Sequence, residues 1–136
     1  MNLYGPTNFA PTVELICDMA EQARVTQNNQ KYFILLIITD GIINDMQKTI
    51  DQIVRGSTLP LSIVIVGVGS DDFESMDILD ADEEPLYSMK YKKNMASDIV
   101  QFVPYRDFRN NPAQLARETL DEIPRQMLDF FRRNNI

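Results

Sequence analysis

The residues best suited to chemistry follow the longest apolar run of the chain, Phe33 to Ile38. Thr39, Asp40 and Gly41 come directly after it, so a hydroxyl, a carboxylate and a glycine stand where a predicted strand ends. A strand that is apolar on both faces is typical of a parallel α/β sheet, and ligands of such sheets bind outside the carboxyl ends of the strands. The pattern favours either a metal site at Asp40 or a turn in which Asp40 only caps the next element.

A second oxygen donor for such a site is Thr7, in a loop before the first predicted helix. Mg²⁺ and Mn²⁺ take carboxylate, hydroxyl and water oxygens as ligands. Thr7 and Asp40 would fill two positions of an octahedron, and one of the two is neutral. The sequence therefore predicts weak binding of Mg²⁺ or Mn²⁺, and no cofactor that the chain requires.

The composition limits the other functions. The chain has 136 residues, enough for one domain. Its net charge of −7 argues against nucleic acid as a partner, because phosphate binding depends on Lys and Arg. It has no histidine, which excludes imidazole triads and histidine zinc sites. The one cysteine, Cys17, lies in an apolar helical pattern and is expected to be a buried, inert thiol.

Three strands alternate with helices in the predicted order. The strands are expected at 32–39, 61–69 and 98–103, and the helices at about 12–27, at 45–55, after Asp71, and from Pro112 onward. Alternating strands and helices predict a parallel, doubly wound sheet in an α/β domain. Residues 80–97 are read as an exposed loop.

Local signals mark several helix ends. Asn44 with Gln47 resembles a capping box, and Asn111 before Pro112 is typical of a helix start. Gly56 is expected as the residue that follows a helix. Pro124, inside the last apolar stripe, predicts a kink or break.

The predicted sheet lacks a neighbour for strand 32–39, whose composition suits the centre of a sheet. Taken together, four segments resemble the copines, and specifically the C-terminal part of the von Willebrand factor A-like domain of that family. They are 4–9 (YGPTNF), 32–41 (YFILLIITDG), 61–69 (LSIVIVGVG) and 98–104 (DIVQFVP). The resemblance covers essentially the whole chain.

The resemblance implies a parallel, three-layer, Rossmann-like fold of the von Willebrand A type, truncated to its last three strands with flanking helices. Copines bind phospholipid membranes in response to calcium through two N-terminal domains, and their A-like domain is thought to recruit protein partners. A domains carry a metal-ion-dependent adhesion site built from three loops. By motif match, Thr7 would be the second-loop threonine and Asp40 the third-loop aspartate.

This chain has no copy of the first-loop Asp-x-Ser/Thr-x-Ser motif, so the expected metal site is incomplete. The expectation is that residues 1–136 are a partial copine A-like domain without its first half, as a fragment or a truncated isoform. Membrane contact is expected only through domains that this chain does not contain. The full-length protein is expected to be cytoplasmic and peripheral to membranes.

The leading interpretation is a non-enzymatic module that binds protein partners of unknown identity. Two alternatives stay open: a small α/β enzyme or phosphoacceptor domain that uses Asp40, and a truncated isoform without independent function. The unpaired edge of strand 32–39 also suggests a homo-oligomer, because an exposed apolar edge favours strand pairing.

Overall fold

Helices and strands alternate along the chain in the computed structural model, which describes residues 8–40, 42–69, 78–80 and 84–136. The helices are α1 (Ala10–Gln22), α2 (Met46–Gly56), α3 (Pro112–Leu120) and α4 (Ile123–Arg133). The strands are β1 (Phe33–Thr39), β2 (Leu61–Gly67), β3 (Tyr87–Ser88), β4 (Lys93–Asn94) and β5 (Val100–Pro104). A 3-10 turn, Tyr105–Asp107, follows β5.

Among the described residues, the main sheet has three parallel strands in the order β1-β2-β5. In its register Phe33 lies opposite Leu61, and Ile63 lies opposite Val100. The predicted α/β class with a parallel, Rossmann-like sheet is therefore confirmed. β1 lies at the edge of this sheet, although its sequence has the composition of a central strand.

Helices α1 and α2 cover one face of the sheet and form the main core with it. The buried members of this core include Val13, Cys17, Ile53, Val54, Leu61, Ile63, Ile65 and Val100. Arg55 joins the two helices on the outside, with its Nη2 atom 2.6 Å from Asp18 Oδ1 and 2.9 Å from Glu21 Oε2. Hydrogen bonds to Glu21 and Asp18 raise the pKa of Arg55 above its usual range.

Helix α4 packs on the opposite face of β2. The Ser62 hydroxyl donates to Gln126 Oε1, and the hydroxyls of Ser62 and Tyr32 lie 2.7 Å apart. The rings of Tyr32, Phe130 and Phe131 contact one another beside this polar link. The sheet is thus the middle of three layers, as the alternation of strands and helices predicts.

The first helix differs from the prediction at both ends, because it runs from Ala10 to Gln22 and not from 12 to 27. Pro11 lies in the first turn of the helix, where no intrahelical partner for its nitrogen is needed. After the helix, Arg24 takes a positive φ of 46°, and Thr26 bridges to Asn29. This turn ends the helix before the polar stretch.

The predicted cap of α2 at Asn44 is wrong. The residue at the N-cap position is Asp45, and the Gln47 side chain donates to Asp51. Gly56 was expected after the helix but is its last residue. A Cβ atom at Gly56 would lie 3.1 Å from both Cys17 Sγ and Leu61 Cδ2, so the glycine allows close packing of α1 and β2 on this helix.

The prediction of an exposed loop at 80–97 is wrong for much of the described part of this segment. Strands β3 and β4 form a short antiparallel hairpin, in which Leu86 and Ser88 are buried. Ser88 Oγ donates to Asp51 Oδ1 at 2.8 Å, which fixes the hairpin to α2. A three-residue helical segment is present at 78–80; most of the helix predicted after Asp71 lies outside the described residues.

The local signals near the C-terminal end of the chain are confirmed. Asn111 Oδ1 accepts the backbone N–H of Gln114 at 3.1 Å, and Pro112 begins α3. The helix ends at Leu120, and α4 begins at Ile123, so the predicted break comes just before Pro124. Pro124 occupies the first turn of a new helix, where proline is tolerated.

Candidate site at the carboxyl edge of the sheet

Asp40 is the first residue after β1, at the carboxyl edge of the sheet, and its side chain is exposed. The Val68 backbone N–H donates to the Thr39 carbonyl at 2.8 Å, which holds the ends of β1 and β2 together. A Cβ atom built on Gly69 would lie 3.9 Å from Asp40 Cβ, and Gly69 has a φ of +93° that favours glycine. The strand ends thus bring Asp40 beside the glycine turn after β2.

Asp45 connects this edge to the start of α1. Its Oδ1 and Oδ2 atoms accept the backbone N–H groups of Phe9 and Ala10, each at 3.0 Å, and Oδ1 also accepts the Thr49 hydroxyl at 3.1 Å. The loop after β1 therefore lies against the beginning of α1. Thr7, the other residue of the predicted metal site, lies outside the described residues.

Sequence reasoning did not single out Asp45. One signal was present, since an acidic side chain near a helix start is favoured by the helix dipole. The helix that it caps, however, begins 35 residues earlier in the chain. Phe9 occupies the N-cap position of α1 and has no side chain that can cap the helix. The first turn of α1 therefore depends on the distant Asp45 carboxylate.

The described residues offer few ligands to a metal ion. Within them no group of three Asp, Glu, His or Cys side chains is placed to hold one. Asp40 brings one exposed carboxylate, and both oxygens of Asp45 already accept hydrogen bonds. These residues do not by themselves fit a complete divalent-cation site, and the pairing of Asp40 with Thr7 stays a prediction.

A cavity of about 550 Å³ lies beside Asp45, between the start of α1, helix α2 and the hairpin. Charges of both signs line it, including Glu14, Lys48 and Lys90. Asp51, also in its wall, is buried and accepts hydrogen bonds from Ser88 Oγ at 2.8 Å and from the Lys90 backbone N–H at 3.4 Å. Asp45 and Asp51, two of the three acidic residues that line this cavity, thus attach neighbouring elements to each other.

The remaining candidate nucleophile is not activated. Cys17 is fully buried, and burial raises the pKa of its thiol to about 11. At neutral pH the thiol is protonated, and its Sγ atom lies 3.5 Å from the Gln52 carbonyl oxygen. The sequence-based expectation of a buried cysteine is confirmed, and its protonated state does not suit nucleophilic attack.

Comparison with known proteins agrees with the resemblance drawn from the sequence. The family model described as Copine matches residues 1–136. The chain belongs to the copine family. Two curated copines of Dictyostelium discoideum are similar to it: Copine-A is 50 % identical over 133 residues, and Copine-D is 50 % identical over 131 residues.

These alignments cover 98 % and 96 % of the present chain. They cover only 22 % of Copine-A and 24 % of Copine-D, so the chain spans less than a quarter of the length of these relatives. The described helices include none that is long and apolar enough to cross a membrane.

Proposed function

We propose that this copine chain is a non-enzymatic module that binds a protein partner at the carboxyl edge of its sheet, around Asp40. The observation that carries the proposal is the position of Asp40: it is exposed at the strand end, beside the glycine turn of β2. A carboxylate in that position is available to a basic side chain of a partner or to a divalent cation shared with one.

The chemistry of the described residues supports binding more than catalysis. The chain has no histidine, and its single thiol is buried with a raised pKa. The carboxylates of Asp45 and Asp51 accept hydrogen bonds from backbone and side-chain groups that they hold in place.

The proposal extends to the larger protein in which such a segment occurs. By its family, that protein is proposed to be cytoplasmic and to bind phospholipid in response to calcium. The membrane contact would come from other domains of that protein. The present segment would supply the contact with the protein partner.

The experiment compares the proteins that the immobilised chain retains from an extract of Dictyostelium discoideum cells, with Mg²⁺ and with EDTA. The parent, Asp40→Ala and Asp121→Ala are run in parallel, Asp121 being an exposed aspartate at the end of α3. A retained protein is then purified and titrated against the three chains. Affinity that falls about tenfold or more in Asp40→Ala alone supports the proposal. Equal binding to all three chains contradicts it.

The alternative, a phosphoacceptor that uses Asp40, rests on the same exposed carboxylate. Incubation with a small phosphodonor, followed by mass spectrometry, separates the two functions. A stoichiometric phosphate on Asp40 favours the alternative, and an unmodified chain favours the binding module.

A further inference from the structure

The cavity between α1, α2 and the hairpin has charged groups of both signs at its opening. Each of the three elements contributes one exposed charged side chain to the wall: Glu14 on α1, Lys48 on α2 and Lys90 in the turn of the hairpin. Its volume of about 550 Å³ is within the range of cavities that hold a ligand in proteins. The cavity is therefore large enough to receive several side chains of a peptide.

The other two carboxylates in the wall are already committed to the fold. Asp45 accepts the backbone N–H groups of Phe9 and Ala10, each at 3.0 Å. Asp51 is buried and accepts the Ser88 hydroxyl at 2.8 Å. These carboxylates hold neighbouring elements together, and they do not neutralise the lysines of the wall.

The ammonium groups of Lys48 and Lys90 are open to a ligand. The ion pairs found in the described part of the chain all involve Arg55, so neither lysine is paired with a carboxylate there. Lys90 Nζ lies 5.3 Å from the centroid of the Tyr91 ring. This contact orients the ammonium group over the ring and leaves its three N–H donors for an acceptor.

The lysines of the chain are concentrated around this cavity. The chain has five lysines, and four of them lie on α2 or the hairpin: Lys48, Lys90, Lys92 and Lys93. All four side chains are exposed. In a chain with a net charge of −7, this local excess of positive charge is complementary to an acidic group of a partner.

The backbone that carries Lys90 is fixed relative to α2. Its N–H donates to Asp51 Oδ1 at 3.4 Å, next to the bond from Ser88 Oγ. Ser88 Oγ also accepts the Tyr91 N–H at 2.9 Å, which closes the turn of the hairpin. The cavity wall is thus preorganised, which lowers the entropic cost of binding.

We propose that this cavity binds an acidic segment of a protein partner, in which two neighbouring Asp or Glu side chains pair with Lys48 and Lys90. Glu14, on the α1 wall, accepts hydrogen bonds from a Lys or Arg side chain of the same segment. This contact goes beyond the function proposed above, because it does not include Asp40.

Glu14 determines the class of the partner. A nucleic acid or an anionic membrane would place further phosphates beside this carboxylate, where like charges repel. A peptide can carry acidic and basic side chains together, so it can pair with the lysines and with Glu14. Tyr87 and Met89 of the hairpin are 51 % and 68 % exposed and offer apolar surface to the residues that flank the acidic pair. These observations favour a peptide of mixed charge over a polyanion.

A peptide library tests the proposal. Peptides of about ten residues, with two neighbouring Glu residues fixed and the other positions varied, are displayed on phage and selected against the parent chain. The selected peptides are expected to contain Lys or Arg near the Glu pair. Each selected peptide is then synthesised and titrated by fluorescence anisotropy beside an analogue with Gln in place of both Glu residues. A library that yields no binding peptide, or analogues that bind equally well, overturns the proposal.

Substitutions of exposed lysines place the peptide on the molecule. Lys48→Gln and Lys90→Gln should each lower the affinity of a selected peptide about two- to fivefold, and about tenfold together. Lys31→Gln is the matched control, because Lys31 is the fifth lysine, is also exposed, and lies outside the cavity wall. Lys31→Gln and Asp40→Ala should bind the peptide like the parent. An equal loss in Lys31→Gln would indicate unspecific charge attraction, and an equal loss in Asp40→Ala would place the peptide at the sheet edge; either result overturns the proposal.

Charge reversal tests the direct pairing. Lys90→Glu should abolish binding of a selected peptide, and a peptide with Lys in place of one Glu should restore it. Glu14→Lys should weaken peptides that carry a Lys or Arg and strengthen those with acidic residues alone. Urea unfolding checks that these variants keep the fold, as substitutions of exposed side chains usually do. If no exchanged peptide restores binding to folded Lys90→Glu, the pairing is wrong.

Co-sedimentation with phosphatidylserine vesicles separates a peptide site from a membrane contact. The parent is expected to stay in the supernatant. Vesicle binding that is lost when Lys48 and Lys90 are both replaced by Gln would show that these lysines serve an anionic membrane, and it would overturn the proposal.

Discussion

The Asp45 carboxylate accepts the backbone N–H of Ala10 at 3.0 Å, across 35 residues of sequence. A second bond, from Phe9 N–H to the other carboxylate oxygen, has the same length. One side chain in the loop after β1 thus caps the first helix. It fixes the start of α1 to the same edge of the sheet that carries Asp40.

Replacing Asp45 with alanine should destabilise the fold by about 2–3 kcal/mol, because hydrogen bonds to a charged group contribute about 1.5–3 kcal/mol. The first-turn N–H groups of α1 and the Thr49 hydroxyl would lose their acceptor. Urea unfolding measures the change. Asp121→Ala, at an exposed aspartate, should stay within about 0.5 kcal/mol of the parent. Equal effects of the two substitutions would contradict the capping role.

Gly56→Ala should destabilise the chain by about 1 kcal/mol or more, although alanine favours a helix by a similar amount. The added Cβ atom would lie 3.1 Å from Cys17 Sγ and from Leu61 Cδ2. The cost should therefore be smaller when Cys17 is already alanine. A double-mutant cycle by urea unfolding measures this coupling, and additive effects would mean that the close contact with sulfur is not what requires glycine.

Ser88→Ala should cost about 1.5–3 kcal/mol, because Ser88 Oγ both donates to the buried Asp51 carboxylate and accepts the Tyr91 N–H at 2.9 Å. The hairpin should also exchange its amide hydrogens faster, since this hydroxyl attaches it to α2. Hydrogen exchange read by mass spectrometry checks the segment 84–97. Protection equal to that of the parent would show that other contacts fix the hairpin.

The stability should fall as the pH rises from 9 to 11 because of Cys17. Burial raises the pKa of the folded thiol from 9.0 to about 11. Below pH 9 both states keep the proton and the thiol has no effect. Between the two values only the unfolded state loses it, which lowers the free energy of unfolding by up to about 2–3 kcal/mol.

Cys17→Ala removes this contribution and serves as the reference for the pH experiment. Tyr32 contributes a further decrease at high pH in both chains, because burial raises its pKa above the ordinary value of 10.0. The quantity to compare is therefore the difference between parent and variant from pH 8 to pH 11, by urea unfolding. A difference that does not change with pH would contradict the raised pKa of the thiol.

Elements with local signals were predictable from sequence, and those that depend on distant partners were not. The Asn111 cap lies three residues from its partner Gln114, and the Pro124 break acts on its own helix. The parallel sheet followed from the alternation of apolar strands and helices. The bond from Asp45 to Ala10 and the close contact of Gly56 with Cys17 depend on tertiary packing, which no local pattern encodes.

Part of the candidate site was likewise predictable from the sequence, and part was not. The position of Asp40 at a strand end followed from the end of the apolar run, whereas the role of Asp45 in holding α1 against that edge needed the structure. The outward-facing residues of β1 are a related case. An apolar run on both faces predicts burial on both faces, whereas Leu36 is 54 % exposed because β1 is the outermost strand of the described sheet.

Titration of the chain with Mg²⁺ or Mn²⁺ should show binding no tighter than about the millimolar range. Among the described residues Asp40 is the carboxylate exposed at the strand end, and the oxygens of Asp45 already accept hydrogen bonds. A divalent ion held by one carboxylate, even with the Thr7 hydroxyl added, keeps most of its water and binds weakly. Isothermal titration calorimetry measures the affinity, with Asp40→Asn as the control that should abolish what binding there is. Low-micromolar binding that survives Asp40→Asn would mean that the ion is held elsewhere. Low-micromolar binding that depends on Asp40 would mean that this edge of the sheet supplies more than one ligand.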